Sequence, residues 1–220
     1  MNQSQRTKND IYVVGICGSL RKGSYTRMAL NIAMKGAKES AVETRLIDLR
    51  DYDLVFCDGK KDESSYPQGV FDLRKDVGQA DGIILGTPEY HGGVSGVLKN
   101  ALDLMGFHEF ESKIVGLVGV SGGRTGAVNA LNSLRTIGRA LHAWVIPDQA
   151  SVDQAWKAFD DEGNLRDSGL ADKIKEIGRQ VSRFSYLHKF EKAHEFLKNW
   201  ECAPTNPGGA REAEMTAEEV

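Results

Sequence analysis

IYVVGICGSLRKGSYT, residues 11–26, opens with an uninterrupted apolar, β-branched run, turns through glycines and hydroxyls, and enters a stretch, 25–39, whose apolar residues recur at helical spacing. A run that is apolar throughout, instead of at every second position, suits a strand whose sheet is covered on both faces. The same unit recurs downstream. Apolar runs at 11–16, 44–49, 81–86, 113–120 and 142–146 alternate with helical patterns at 25–39, 70–79, 94–105 and 125–141. This alternation predicts an α/β fold, a doubly wound parallel sheet of five strands joined by right-handed crossovers.

Composition narrows the function classes. The chain has 220 residues, 40% of them hydrophobic and 27% charged, which suits a folded domain with a substantial core. Three cysteines without a CxxC pair are too few for a disulfide scaffold or a cysteine-built zinc module. The longest apolar runs reach about seven residues against the roughly 20 of a membrane helix. Residues 1–10 carry no leader pattern, so a soluble, cytoplasmic protein is expected, with no membrane partner. Net charge is −3, and residues 201–220 hold five Glu and one Arg, leaving the rest close to neutral. No basic footprint for nucleic acid stands out.

The chain divides into a flexible N-terminus, 1–10; a core domain, 11–167; a helical extension, 168–200; and an acidic, disordered tail, 201–220. The connection at 50–69 is long and charged, either an exposed insertion or a functional lid. Residues 147–167 read as a surface excursion containing the turn Asp160-Asp161-Glu162-Gly163-Asn164. In the extension, Leu170, Ile174, Ile177, Val181, Phe184, Leu187, Phe190, Leu197 and Trp200 fall three or four apart. Either this helix overhangs and buries its aromatic stripe against a second copy, or it kinks near Gly178 and packs on its own sheet.

In a doubly wound sheet, ligands sit beyond the carboxyl ends of the strands where the strand order reverses. Three unusual loops leave those ends. The first, Gly15 to Thr26, offers Ser19, Ser24 and Thr26 hydroxyls, a helix N-terminus and the Arg21 guanidinium, a set suited to a phosphate. It lacks both the GxxxxGK[ST] and GxGxxG spacings, so a terminal monophosphate fits better than a nucleoside triphosphate or a dinucleotide; an N-capped helix behind a Gly/Ser turn is the plain alternative. The second, Pro88-Glu89-Tyr90-His91-Gly92, can bring backbone N–H groups against a flat heterocycle that Tyr90 could stack on. The third is Ser121-Gly122-Gly123. No metal-ligand spacing is present: His188 and His194 lie six apart and do not share a helical face.

Taken together, Gly18-Ser19-Leu20-Arg21 with Ser24, Pro88-Glu89-Tyr90 with Gly92, Gly96-Val97-Leu98-Lys99-Asn100-Ala101-Leu102-Asp103 and Ser121-Gly122-Gly123 resemble the NADPH-dependent FMN reductases of flavodoxin-like fold, which include quinone, chromate and azo-dye reductases. The resemblance covers roughly residues 11–167. It implies strand order 2-1-3-4-5 with FMN at the switch point, NADPH (or NADH) as reductant, a quinone, free flavin, azo compound or metal oxyanion as acceptor, and a homodimer or homotetramer. It further implies that Ser19, Arg21, Ser24 and Thr26 hold the FMN phosphate, that Pro88, Glu89, Tyr90, His91 and Gly92 meet the flavin ring, and that Ser121, Gly122 and Gly123 close the third side. His91 stands where the family usually has Asn, and Thr26 where Asn is common. No catalytic side chain is required, because the flavin carries the hydride chemistry. The alternatives are a flavodoxin-type electron carrier and a flavin-dependent regulator.

Overall fold

The computed structural model describes residues 11–60 and 62–189. In chain order the elements are β1 (Tyr12–Cys17), α1 (Tyr25–Lys38), β2 (Glu43–Asp48), α2 (Gln68–Gly78), β3 (Gly82–Tyr90), β4 (Gly93–Val94) and α3 (Gly96–Asp103). There follow α4 (Phe107–Phe110), β5 (Ile114–Val120), α5 (Val128–Ala140), β6 (Trp144–Val152), α6 (Ala155–Ala158) and α7 (Ser168–Lys189). Residues Asp10–Ser185 form one compact unit; Tyr186–Lys189, the last turn of α7, belong to a second. The expected continuation of this helix to residue 200 and the acidic tail lie outside the described residues.

The sheet has six strands. Its parallel path runs β2-β1-β3-β5-β6, and β4 pairs antiparallel with β3. The five parallel strands thus follow the order expected as 2-1-3-4-5, and the correction is the additional antiparallel β4, which makes the sheet six-stranded. The extra strand arises because the chain reverses at His91 and Gly92, both at positive φ (52° and 76°), and lays Gly93 and Val94 back against Tyr90 and Glu89. Two consecutive left-handed residues make the tight hairpin whose twist matches that of the flanking strands. Residues 94–95, expected as helix, therefore belong to β4 and to the Ser95 cap of α3.

Side chains alternate across the strands. Val13, Cys17, Ile84 and Val118 point into a core shared with α1 and α7, and Val14, Ile16, Ile83, Leu85, Val115 and Leu117 into a second core with α2, α3 and α5. Helices thus cover both faces, which is why the strands read as continuous apolar runs. The α1–α7 crossing is exceptionally close: a Cβ at Gly36 would lie 2.0 Å from the Lys175 carbonyl oxygen, and one at Gly178 would lie 1.9 Å from that of Ala33. Gly178 is a contact point within one continuous helix and not a kink.

Residues 147–152, expected as surface excursion, extend β6. Pro147 ends the strand in sequence terms because it lacks an N–H, yet β6 is an edge strand and bulges there. The register jumps from Val115↔Val145 to Leu117↔Gln149. Arg135 of α5 holds the bulge, donating from Nη1 to the Ile146 carbonyl at 2.9 Å, from Nη2 to that of Pro147 at 2.6 Å, and from Nε to Gln149 Oε1 at 2.8 Å.

Candidate functional site

β1, β3 and β5 are adjacent in the sheet, so the loops leaving their carboxyl ends are adjacent in space. They converge on a cleft of about 220 Å³. Ser19, Arg21, Ser24, Thr26, Pro88, Glu89, Tyr90, Ser121 and Gly122 line it, together with Gly23, Tyr25, Val120, Ala155 and Trp156. His91, Gly92 and Gly123 do not. Ala155 and Trp156 carry no signal in the sequence because the strand that delivers them, β6, runs on through Pro147, and Tyr25 stands at the start of the helical pattern at 25–39.

The loops are held to one another by backbone-directed bonds. Gly18 donates its N–H to the Gly86 carbonyl at 2.8 Å, and Ser95 Oγ donates to the Gly18 carbonyl at 2.6 Å. A side chain at Gly18 would meet Leu98 Cβ at 2.8 Å, so glycine is required there for α3 to pack. Ala155 N–H and Gln154 N–H donate to the carbonyls of Ser121 and Gly123 at 3.0 and 3.1 Å, tying the third loop to the turn before α6. The Ser121 hydroxyl accepts from Gly123 N–H at 3.0 Å, rigidifying the loop from within.

At the β1–α1 turn the three hydroxyl residues are buried, yet their duties differ. Ser24 caps α1, its Oγ accepting from Arg27 N–H at 3.2 Å. Ser19 and Thr26 hydroxyls have no hydrogen-bond partner among the described residues, and both face the cleft. Arg21 has no carboxylate partner there either; its guanidinium lies 5.6 Å from the centroid of the Tyr90 ring. Burial pushes the Cys17 thiol above its ordinary range, and its Sγ–H points to the Ser19 carbonyl at 3.7 Å. Cys17 is a packing residue of the floor.

This donor set fits a phosphate monoester. Open hydroxyls, the N–H groups of a helix's first turn and an unpaired guanidinium meet at one end of the cleft, and the helix dipole favours negative charge there. The one carboxylate in the lining, Glu89, is turned away: Oε2 accepts the Ala130 N–H at 3.0 Å, in the first turn of α5. The other end is flanked by Tyr90 and Trp156, which are 40% and 60% exposed and offer aromatic surface to a flat ligand. Among the described residues no cluster of His, Cys, Asp and Glu could hold a metal ion, and no helix is long and apolar enough to cross a membrane.

A parallel α/β sheet with such a cleft at its switch point defines a flavodoxin-like nucleotide-binding protein. Residues 11–157 match the family model for NADPH-dependent FMN reductase, and the chain belongs to that family. It is therefore an oxidoreductase that uses FMN and NADPH. Among its relatives, the NADPH azoreductase of Bacillus sp. (strain OY1-2) is 32% identical over 177 residues, covering 80% of this chain and 96% of the relative. The FMN-dependent NADPH-azoreductase of Staphylococcus aureus (strain USA300) is 35% identical over 174 residues, covering 77% and 92%. In fold, the flavoenzyme NAD(P)H:(acceptor) oxidoreductase FerB from Paracoccus denitrificans superposes with a TM-score of 0.66 at 22% identity, covering 81% of this chain and 98% of that one.

Proposed function

We propose that the cleft between the β1, β3 and β5 loops seats FMN, phosphate end toward Ser19, Arg21, Ser24 and Thr26 and ring end toward Pro88, Tyr90, Ser121 and Gly122. One observation carries this assignment: two free hydroxyls, a helix N-terminus and an unpaired guanidinium face the same end of a cleft whose other end offers aromatic rings. Bound FMN supplies the two-electron chemistry by which a nicotinamide nucleotide and an organic acceptor react in turn at one site.

The protein's own contribution is positional. Arg21 and the first turn of α1 fix the anion. The Ser95–Gly18 and Ala155–Ser121 bonds keep the loops from collapsing into the cleft. Glu89, locked on α5, holds the second loop and keeps its charge away from the ring seat. Gly122, in the cleft lining, is assigned to the ring edge, where a backbone N–H would donate a hydrogen bond. Ser24 acts as a helix cap first and as a phosphate ligand only through its residual donor.

The acceptor is assigned as an azo compound, quinone or free flavin, since two relatives named as NADPH azoreductases match this chain over more than nine-tenths of their own length. The working form is assigned as a cytoplasmic homodimer or homotetramer in which 11–167 is the FMN-binding domain. The decisive experiment is to add FMN to the purified protein, record the visible spectrum, and follow bleaching by NADPH before adding an azo dye or menadione. A bound yellow chromophore that bleaches and then recovers with acceptor supports the assignment. Protein that remains colourless after FMN addition and desalting overturns it.

A further inference from the structure

Trp156 lines the cleft, yet the seating of FMN does not call on it. The third loop holds it in place. Ala155 is buried, and its N–H and that of Gln154 donate to the carbonyls of Ser121 and Gly123. Gln154 lies in the left-handed region at φ 40°, and its carbonyl accepts the Lys157 N–H at 2.7 Å, closing the first turn of α6. Phe159 is buried and stacks on Tyr25 with ring centroids 5.5 Å apart. With Ala155 and Phe159 both turned into the core, Trp156 is left outward at the cleft, 60% exposed. A residue with a Cβ stays at positive φ only where its surroundings fix it, so the outward indole belongs to the built form of this turn.

Lys157 adds a charge to that ring. Its Nζ lies over the indole, 4.6 Å from the centroid, a cation–π contact that covers one face and leaves the other open. Lys157 is exposed and makes no ion pair with a carboxylate among the described residues. The neighbouring carboxylates are engaged elsewhere: Asp160 Oδ1 accepts the Asn164 N–H at 2.7 Å, and Glu89 accepts that of Ala130. The Trp156 Nε1–H has no acceptor among the described residues either. Two consecutive residues thus present a ring face, an N–H donor and an uncompensated positive charge.

We infer that Trp156 and Lys157 form a specificity subsite for the electron acceptor, selecting aromatic acceptors that carry an anionic substituent, a sulfonate or carboxylate, on the ring. The inference rests on the assignment of the cleft to FMN. The FMN phosphate is met by Arg21 and the first turn of α1, which leaves this second cation for a different anion. Ring and charge stand side by side in the protein, so they match a ligand in which ring and charge are also side by side. The nicotinamide ring of NADPH carries no anionic substituent, and its phosphates begin only beyond a ribose; the pair therefore discriminates among acceptors and not between reductants. Because Lys157 is exposed, its contribution is modest and screened by salt.

The test uses FMN-loaded full-length protein and two unreactive probes, naphthalene-2-sulfonate and 2-naphthol, which share a ring system and differ in charge at neutral pH. In calorimetric titrations wild type should bind the sulfonate about fivefold more tightly, a preference that shrinks as salt is added. Lys157→Gln should bring the two probes to parity, and Trp156→Leu should weaken both about fivefold, because stacking does not depend on the charge. In turnover, Lys157→Gln should raise KM for a sulfonated azo dye and not KM for NADPH. Equal affinity for the two probes in wild type, a folded Lys157→Gln protein that keeps the preference, or undiminished probe binding by Trp156→Leu overturns the inference. So does a rise in KM for NADPH in place of the dye, or loss of FMN by Trp156→Leu, which would put the indole on the flavin. Wild-type protein that fails to retain FMN through desalting is a separate result: it sinks the flavin assignment itself and takes the subsite with it.

Discussion

The Glu89 carboxylate accepts the backbone N–H of Ala130 at 3.0 Å, joining the turn after β3 to the first turn of α5. The residue before that helix, Ala127, provides no side-chain cap, so Glu89 performs the task from another element. Glu89→Ala should lower stability by about 1 kcal/mol, in the range for loss of a cap, and lower FMN affinity as the second loop loosens. Urea denaturation and FMN titration check both effects. A denaturation midpoint equal to wild type would show that the bond contributes nothing.

That contact also marks where sequence reading ends. Glu89 stood out as a site residue because it lies in a Pro-Glu-Tyr turn between glycines, but its partner is 41 residues away and carries no side-chain signal. The strands and the three loops were legible because β-branched runs and glycine-rich exits are local properties. The sixth strand was not, since it depends on a two-residue reversal. Nor were Ala155 and Trp156, because β6 passes through Pro147 only by means of the bulge that Arg135 holds from a different helix.

His91 lies in the left-handed region at φ 52°, followed by Gly92 at 76°, and does not line the cleft. A two-residue turn of this kind favours Asn-Gly, because asparagine tolerates positive φ at lower cost than other residues with a Cβ. His91→Asn should raise stability by up to about 1 kcal/mol with FMN affinity unchanged. Thermal unfolding of the two proteins and their FMN dissociation constants check this. A loss of FMN affinity would place the imidazole on the ring after all.

Arg21 lines the cleft with its guanidinium 5.6 Å from the Tyr90 ring centroid and has no carboxylate partner among the described residues. Arg21→Ala should weaken FMN binding by about 1.5–3 kcal/mol, the worth of a hydrogen bond to a charged group, while riboflavin binding changes little. Fluorescence titration with both flavins separates the two. Equal losses for FMN and riboflavin would indicate that Arg21 acts on the ring through Tyr90 and not on the phosphate.

Asp48 is held well below the ordinary carboxylate range, at about 2, first by its side-chain hydrogen bond with Arg50 and also by Arg27. The folded state therefore binds a proton less readily than the unfolded chain. The stabilisation is fully present above about pH 4 and is lost as pH falls toward 2. Asp48→Asn should lower stability at neutral pH and flatten the acid limb of the stability profile between those values. Denaturation midpoints measured from pH 2 to 7 check this, and parallel profiles for the two proteins would show that the pair carries no linkage.

Gly178 sets how closely α7 lies on α1. A methyl group there would stand 1.9 Å from the Ala33 carbonyl oxygen and 2.6 Å from Ala37 N, both main-chain atoms that no rotamer change can move. The helices must separate, and the buried residues between them, Ile174, Ile177 and Val181 with Ala33 and Ala37, would lose contact together. Overpacking against backbone is more disruptive than against a side chain, so Gly178→Ala should destabilise by about 3 kcal/mol or more despite the better helix propensity of alanine. Replacing Gly23, where an added Cβ meets nothing within 4 Å, provides the contrast: Gly23→Ala should leave the denaturation midpoint close to wild type. Equal midpoints for the two variants would mean that α7 can ride away from α1 at no expense, and that the close crossing does not hold the core together.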